Sequence, residues 1–267
     1  MLRSLFTGIS GLRAHQQMLD VTSSNIANVN TVGYKSSSAV FEDTLSQTVA
    51  GAGAPSGSTG GTNPIQVGLG VQLAGTSTNF AQGSNQYTGR TSDVLINGDG
   101  FFVLNHNGQQ TYSRAGSFSL DSAGELVAPD GSIVQSAAGG NLDLSALNSG
   151  TYVSWSISPL GVVNGVDSTG TTTALGTIAT ATFANPGGLA KVGDTQYETT
   201  ANSGAAQIGA PGSGGRGTLT AGYLEMSNVD LASELTNLII SERGFQANSR
   251  VITTSDEVLQ SLISLKQ

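Results

Sequence analysis

His15 and His106 are the two histidines of the 267-residue chain, and cysteine is absent. Thiolate chemistry, disulfides and Cys-ligated metals are therefore excluded. His15 falls in an apolar-periodic stretch and His106 in a turn, "NHNG", so the two imidazoles sit in different regions and do not suggest a metal site. Asp93, Asp99, Asp121 and Glu125 lie in the strand-like middle of the chain. A β-rich glycosidase would need two such carboxylates facing one cleft, and no spacing here singles out a pair. Glu42-Asp43 and Asp256-Glu257 are sequence neighbours and read as solvated or ion-paired. Gly212, Gly214 and Gly217 match G-x-G-x-x-G, yet the tract "IGAPGSGGRG" offers no βαβ context and the match reads as coincidence. No H-E-x-x-H, P-loop or nucleophile-elbow pattern occurs. The residue inventory predicts a protein that is not an enzyme, with no catalytic residue, no cofactor and no metal.

The composition points elsewhere. Charged residues make up 10% of the chain, against about 25% in an average soluble protein. Gly, Ser, Thr, Asn, Ala and Gln fill the gap, giving a polar and nearly uncharged surface suited to stacking against copies of itself. The net charge of −8 argues against nucleic acid and anionic membranes as partners. No run of apolar residues reaches transmembrane length, so no membrane insertion is expected. The start, "MLRSLFTGISGLRAHQQMLD", spaces its apolar residues and lacks the continuous core of a Sec signal peptide. The expectation is a cytoplasmic protein or one exported without a Sec signal.

The elements that hold these residues fall into three textures. Near the start, Leu5, Leu12, Leu19 and Ile26 recur every seven residues, with Leu2 and Ile9 at the companion position. This spacing predicts a coiled-coil-type helix about 40 Å long. The run "NIANVNTVGYK" should stop it, because Asn25, Asn28, Asn30 and Gly33 include residues that tolerate left-handed backbone angles. Near the end, Leu231, Leu238, Phe245, Ile252 and Leu259 repeat the same period. Leu235 and Ile263 belong to a companion row that Glu242, Ser249 and Asp256 interrupt, and Val251, Val258 and Leu265 form a second stripe about 100° away. Ser227 or Asn228 is the expected cap, with Asp230 in the first turn. Stripes on two faces imply more than one packing neighbour.

Between residues 94 and 220 the pattern turns to strands. "VLINGDGFFVLN", "QQTYSRAGSFSLD", "ELVAPDGSIVQ" and "YVSWSIS" are separated by Asn97-Gly98, Asp99-Gly100, Asn107-Gly108 and Asp130-Gly131 turn signals. In the last run Val153, Trp155 and Ile157 alternate with polar residues as in a half-buried strand. The fold class expected is α+β: paired terminal coiled-coil-like helices and a central antiparallel all-β domain. The boundaries expected are 1–35 with 226–267 for the helical assembly domain, 36–75 for an extended connector and 76–225 for the β-rich outer domain. Composition alone makes that connector a flexible linker, and ordering against neighbouring subunits is the other reading.

Three runs carry a family resemblance. "NIANVNTVGYK" resembles the N-terminal signature of bacterial flagellar axial proteins, the rod, hook and hook–filament junction subunits. "SNVDLASELTNLIISERGFQANSRVITTSDEVLQSLISLK" resembles that family's C-terminal signature, and "NFAQGSNQYTGRTSDVLINGDGFFVL" is similar to the opening of its first β domain. Together they span roughly half the chain, in the family's order. Within the family, "RGFQANSRVITTSDE" and "SQTVAGAGAPSGSTGGTNPIQVGLG" look more like the hook subunit than the distal rod subunit, which more often has a Tyr-Glu-Ile-Asn run at Phe245–Asn248.

The resemblance implies a structural subunit of the flagellar hook, self-assembling into a tubular helical polymer that serves as a flexible torque-transmitting joint. It implies type III export, an extracellular or cell-envelope location, and distal rod, hook cap and hook–filament junction proteins as partners beside the homopolymer. The terminal helices would line the inner layer, with Leu5, Ile9, Leu12, Leu19, Ile26, Leu231, Leu235, Leu238, Phe245, Ile252 and Leu259 at the assembly interface. The distal rod subunit is the alternative, since the chain is short for a hook protein. A secreted β-rich enzyme acting on polysaccharide is the third reading.

Overall fold

The computed structural model describes residues 2–55, 57, 60–148 and 150–265; the side chain of Leu2 lies outside the described set. Two compact units emerge, each assembled from separated stretches of chain. The first comprises Met1–Ala27, Ser37–Thr78 and Asp230–Gln267; the second comprises Asn28–Ser36 and Asn79–Val229.

In the first unit an N-terminal helix, Leu2–Ala27, pairs with a C-terminal helix, Leu231–Ser264. Asp230 caps the second of these, its carboxylate accepting from Ala232 N at 3.0 Å. The cap expected at Ser227 or Asn228 is thus displaced, and both residues do other work. The stretch expected to be an extended connector carries four strands: β1 (Ser37–Asp43), β2 (Ser46–Ala50), β3 (Ile65–Gly68) and β4 (Val71–Thr78). β1 pairs with β4 and β2 with β3, both antiparallel, and the N-terminal helix packs on β1 and β4.

The second unit is built on antiparallel strands. β5 is Asn85–Tyr87, β6 Val94–Asn97, β7 Phe101–His106, β8 Gln109–Ser113, β9 Ser119–Leu120, β10 Leu126–Val127 and β11 Ile133–Val134. After a helical turn at Ser145–Asn148 come β12 (Tyr152–Ile157), β13 (Val162–Asp167), β14 (Thr172–Thr177) and β15 (Thr180–Thr182). A short 3-10 turn at Pro186–Gly188 leads to β16 (Ala190–Gly193), β17 (Gln196–Glu198), β18 (Gln207–Gly209), β19 (Thr218–Ala221) and β20 (Tyr223–Glu225). The main sheet runs β16-β17-β8-β7-β11-β10-β9, with β15 joined to β7 and β18; β12-β13-β14 form a meander. With two long helices beside antiparallel sheets, the fold is α+β.

β7 shows why this unit is stable. Its "FFVL" run is buried on both faces: Phe102 and Leu104 enter one core with Ile96, Phe118, Leu126 and Val163. Phe101 and Val103 enter a second core with Tyr112, Phe183 and Tyr197. Each fully covered Phe or Leu contributes about 1.5–3 kcal/mol relative to exposure. The hairpin from β7 to β8 turns at Asn107 and Gly108, both with positive φ (52° and 89°), as a type I′ turn requires.

One strand departs from its sequence pattern. Val153 was expected inward with Trp155 and Ile157, yet it is 75% exposed. A register irregularity between Tyr152 and Ser154 pushes it out, and the Tyr152 ring packs on Gly165 in its stead, where a Cβ would stand 2.8 Å from the ring.

Candidate assembly surface

The helix pair of the first unit sets out the surface. It is antiparallel: Ser4 faces Ser255 (Oγ to Oγ 3.5 Å), and Asn25 Nδ2 donates to Glu234 Oε1 at 3.0 Å. Between these ends the closest approach is made by small residues. A Cβ on Gly8 would meet Ile252 at 3.3 Å, one on Gly11 the Asn248 amide at 2.7 Å, and one on Gly244 the His15 ring at 2.4 Å. Ala14 and Ser241 are buried beside them. The helices therefore close through glycines, with His15 lying flat on Gly244.

Of the apolar stripes, Ile252 reaches this seam at Gly8. Leu5, Ile9, Leu12, Leu19 and Ile26 are half-buried, as are Leu238, Phe245, Ile252 and Leu259; Leu231 and Leu235 are exposed. Ile239, Ile240, Val251, Val258, Leu262 and Ile263 are exposed as well, and Leu265 is 82% exposed. Since Ser4 faces Ser255, the last two turns of the C-terminal helix project past the start of its partner. The sequence missed the seam itself. A glycine inside a helix costs about 1 kcal/mol relative to alanine, so Gly8, Gly11 and Gly244 in mid-helix were the available signal of close approach.

Two more apolar features belong to this unit. Phe6, Ile9, Arg13, Val71 and Leu73 line a groove between the N-terminal helix and β4, with Phe6 67% exposed. Every residue of β2 and β3 is exposed, Val49, Ile65 and Val67 among them. A lone two-stranded hairpin is marginal in water, and every residue in the two strands of this one is exposed.

The helix-end signature divides its labour. Asn25 is still helical and 1% exposed: Nδ2 donates to Ser37 O (2.7 Å) and Oδ1 accepts from Ser37 N (3.1 Å), docking β1. Asn28 Oδ1 accepts from Thr31 Oγ1 at 3.0 Å, and Asn30 is exposed. Neither Asn28 nor Asn30 adopts positive φ; Gly33 alone of the four does, at 69°, where a Cβ would stand 2.4 Å from Ala115 N. The asparagines thus act through side chains and the glycine through backbone freedom.

A cluster of buried charge follows directly. Lys35 and Glu225 are both 0% exposed at the side chain, Nζ to Oε1 2.6 Å. Arg114 Nη1 donates to Glu225 Oε2 at 3.3 Å and Nη2 to Gly98 O at 2.8 Å. Burial lowers the pKa of both cations from their ordinary values; the Glu225 carboxylate opposes this shift, and Asp99 also raises that of Arg114.

The acidic and histidine candidates are occupied locally. Asp93 is buried with Arg90 at 3.9 Å, and Asp121 Oδ1 accepts from the amides of Ala123 and Glu125 in a turn. Glu125 accepts from Asn141. His106 Nδ1 lies 3.0 Å from Ser132 Oγ, while Ser132 donates directly to Asp130. The imidazole does not stand between hydroxyl and carboxylate, and Ser132 is 0% exposed, so this trio cannot relay a proton to a substrate. Gly212, Gly214 and Gly217 form a loop closed by Gly212 N to Gly217 O, followed by strand β19 rather than a helix. Among the described residues no group of three His, Asp or Glu is placed to hold a metal ion.

Comparison with known proteins adds what geometry leaves open. Residues 5–35 match the model of the flagella basal body rod protein, 95–165 the D1 domain of the flagellar hook protein FlgE/F/G, and 220–265 the C-terminal region of flagellar basal body rod FlgEFG proteins. The chain is 47% identical over 268 residues to the flagellar basal-body rod protein FlgG of Bacillus subtilis, covering all of both chains. The chain belongs to the flagellar rod and hook protein family. It is also 39% identical to FlgG of Caulobacter vibrioides over 99% of this chain, and 30% identical to the flagellar hook protein FlgE of Borreliella burgdorferi in an alignment of 441 residues. Rod and hook family members are structural, and this chain is a structural protein rather than an enzyme. Among the described residues no helix is long and apolar enough to cross a membrane.

Proposed function

We propose that the chain is a subunit of the distal rod of the flagellar basal body, polymerising with copies of itself into a straight, stiff tube that carries torque. The observation that carries this reading is the end-to-end match to FlgG at equal length, 268 aligned residues covering the whole of both chains. The match to the Borreliella hook protein spreads this chain over 441 aligned positions at lower identity. The hook resemblance rests on "RGFQANSRVITTSDE" and "SQTVAGAGAPSGSTGGTNPIQVGLG"; within the first, Phe245–Asn248 lies against the N-terminal helix through Asn248 and Gly11, a packing role open to either subunit. The hook remains the second reading on those two runs.

The exposed stripes of the helix pair and the uncovered β2–β3 hairpin supply the drive for assembly. Each Å² of apolar surface removed from water on polymerisation stabilises the polymer by roughly 25 cal/mol. Leu231, Leu235, Leu238, Phe245, Ile252 and Leu259, with Leu5, Ile9, Leu12, Leu19 and Ile26, are the proposed contact residues. The partners are copies of the same chain, and at the tube's end hook-type subunits. Export takes place through the flagellar type III apparatus.

The test is electron microscopy of polymers grown from purified full-length protein. Straight, unbending tubes are expected. Curved, supercoiling tubes would transfer the chain to the hook, and protein that stays monomeric at high concentration would overturn the assembly reading.

A further inference from the structure

The chain passes between its two units after residues 27, 36, 78 and 229. Three of these four passages are fastened to one another inside the second unit. Ser36 N donates to Asn228 Oδ1 at 2.8 Å, and Ser36 O accepts from Asn79 N at 2.8 Å. Asn228 Nδ2 donates to Asn79 O (2.8 Å) and Ala81 O (3.1 Å). Just behind this triangle Lys35 Nζ donates to both Ala81 O (2.7 Å) and Glu225 Oε1 (2.6 Å). Glu225 is held in turn by Gly33 N at its backbone oxygen (2.7 Å) and by Gly83 N at Oε1 (2.9 Å).

The segments 33–36, 79–83 and 225–228 come from distant parts of the sequence, and glycine lets them approach. A Cβ on Gly83 would stand 2.0 Å from Met226 O, so no larger residue fits there. A buried ion pair adds little net stability over an apolar pair of the same shape. Its directional bonds do fix which backbone groups lie together. A pull on one passage would otherwise load only the strand that follows it, peeling hydrogen bonds one by one.

We infer that Lys35, Glu225 and Asn228 form a clamp that makes three of the chain's exits from the second unit yield together, so that a load entering by one is shared by all three. The source of such load rests on the proposed role in a torque-bearing tube; the clamp is a property of the single molecule and is tested there.

The experiment is amide hydrogen exchange on the full-length, unpolymerised chain, comparing the parent with Asn228→Ala. Asn228 is half-buried at the rim, and its removal leaves the acceptors of Gly33, Gly83 and Asn79 in place. The clamp requires Gly33, Gly83 and Asn79 to exchange about fivefold faster or more, together with Ser36, because opening is concerted. Acceleration of Ser36 alone, the amide that lost its own acceptor, overturns the proposal. Asn228→Asp keeps that acceptor but sets a carboxylate oxygen against Asn79 O and Ala81 O in place of the two donated bonds, and must still accelerate Gly33 and Gly83. Asn185→Ala, which removes a bond to Asn202 O elsewhere in the same unit, must leave all four amides unchanged; if it too accelerates them, the effect is general loosening and the clamp falls. Polymer formation by the parent chain is scored separately, so failure of the assembly reading leaves the exchange result standing.

Discussion

The Lys35 ammonium and the Glu225 carboxylate meet at 2.6 Å with neither side chain exposed, and Arg114 reaches the same carboxylate from its other oxygen. One acid is therefore shared by two buried cations, and the members of the cluster are unequal. Removing Lys35 leaves Glu225 paired with Arg114. Removing the charge of Glu225 leaves two cations facing each other, with Asp99 as the remaining nearby acid.

Glu225→Gln is accordingly expected to destabilise the second unit by about 3–5 kcal/mol, the range for breaking a buried pair by one partner. Lys35→Met is expected to cost clearly less. Urea unfolding followed by the fluorescence of Trp155 and the tyrosines gives both numbers, and equal costs would contradict the unequal cluster.

The glycine seam makes a second prediction that runs against helix propensity. Alanine in mid-helix is favoured over glycine by about 1 kcal/mol. At Gly244 and Gly11, however, the new methyl strikes the His15 ring and the Asn248 amide. Gly244→Ala and Gly11→Ala should each destabilise the helix pair by about 1–3 kcal/mol, seen as an earlier loss of helical circular dichroism on heating. A gain in stability at either site would mean that the helices do not close through these residues.

Exposed apolar residues on the C-terminal helix predict an uncoupling of folding from assembly. Leu262→Asp with Ile263→Asp changes two exposed residues in the last turns of the C-terminal helix. Monomer stability should move by no more than about 0.5 kcal/mol, while polymer mass pelleted by ultracentrifugation should fall by at least about tenfold, since burying a carboxylate without a partner is costly. Normal polymer yield would remove these turns from the contact surface.

Alkaline pH tests the second core. Burial raises the Tyr197 phenol above the ordinary value of about 10. The unfolded chain loses that proton first, so the stabilisation is fully present below about pH 10 and is lost as pH rises further toward the folded-state value. Tyr197→Phe should lower stability modestly at neutral pH and show a shallower loss above about pH 10 than the parent. Parallel curves in urea titrations across that range would contradict the assignment.

Much of this was written in local pattern. Heptad spacing of Leu5, Leu12, Leu19 and Ile26 marked a helix whose end at Ala27 falls just before Asn28, and the Asn107-Gly108 pair marked its hairpin. Such signals are legible because helix period, turn chemistry and backbone freedom are properties of a few neighbouring residues. The absence of cysteine and the scarcity of charge were likewise fixed by composition alone.

Tertiary structure decided everything that depends on which distant segments meet. Gly11 and Gly244 carry the helix contact because Asn248 and His15 happen to stand opposite. Lys35, a lone cation in a polar run, is buried because Glu225, 190 residues later in sequence, returns beside it. Val153 turned outward because a register shift, invisible in its own alternating run, gave its place to Tyr152. Periodicity tells which side of an element is apolar; it does not contain the register between elements, and in this chain register chose the seam, the charge cluster and the apolar surface left exposed.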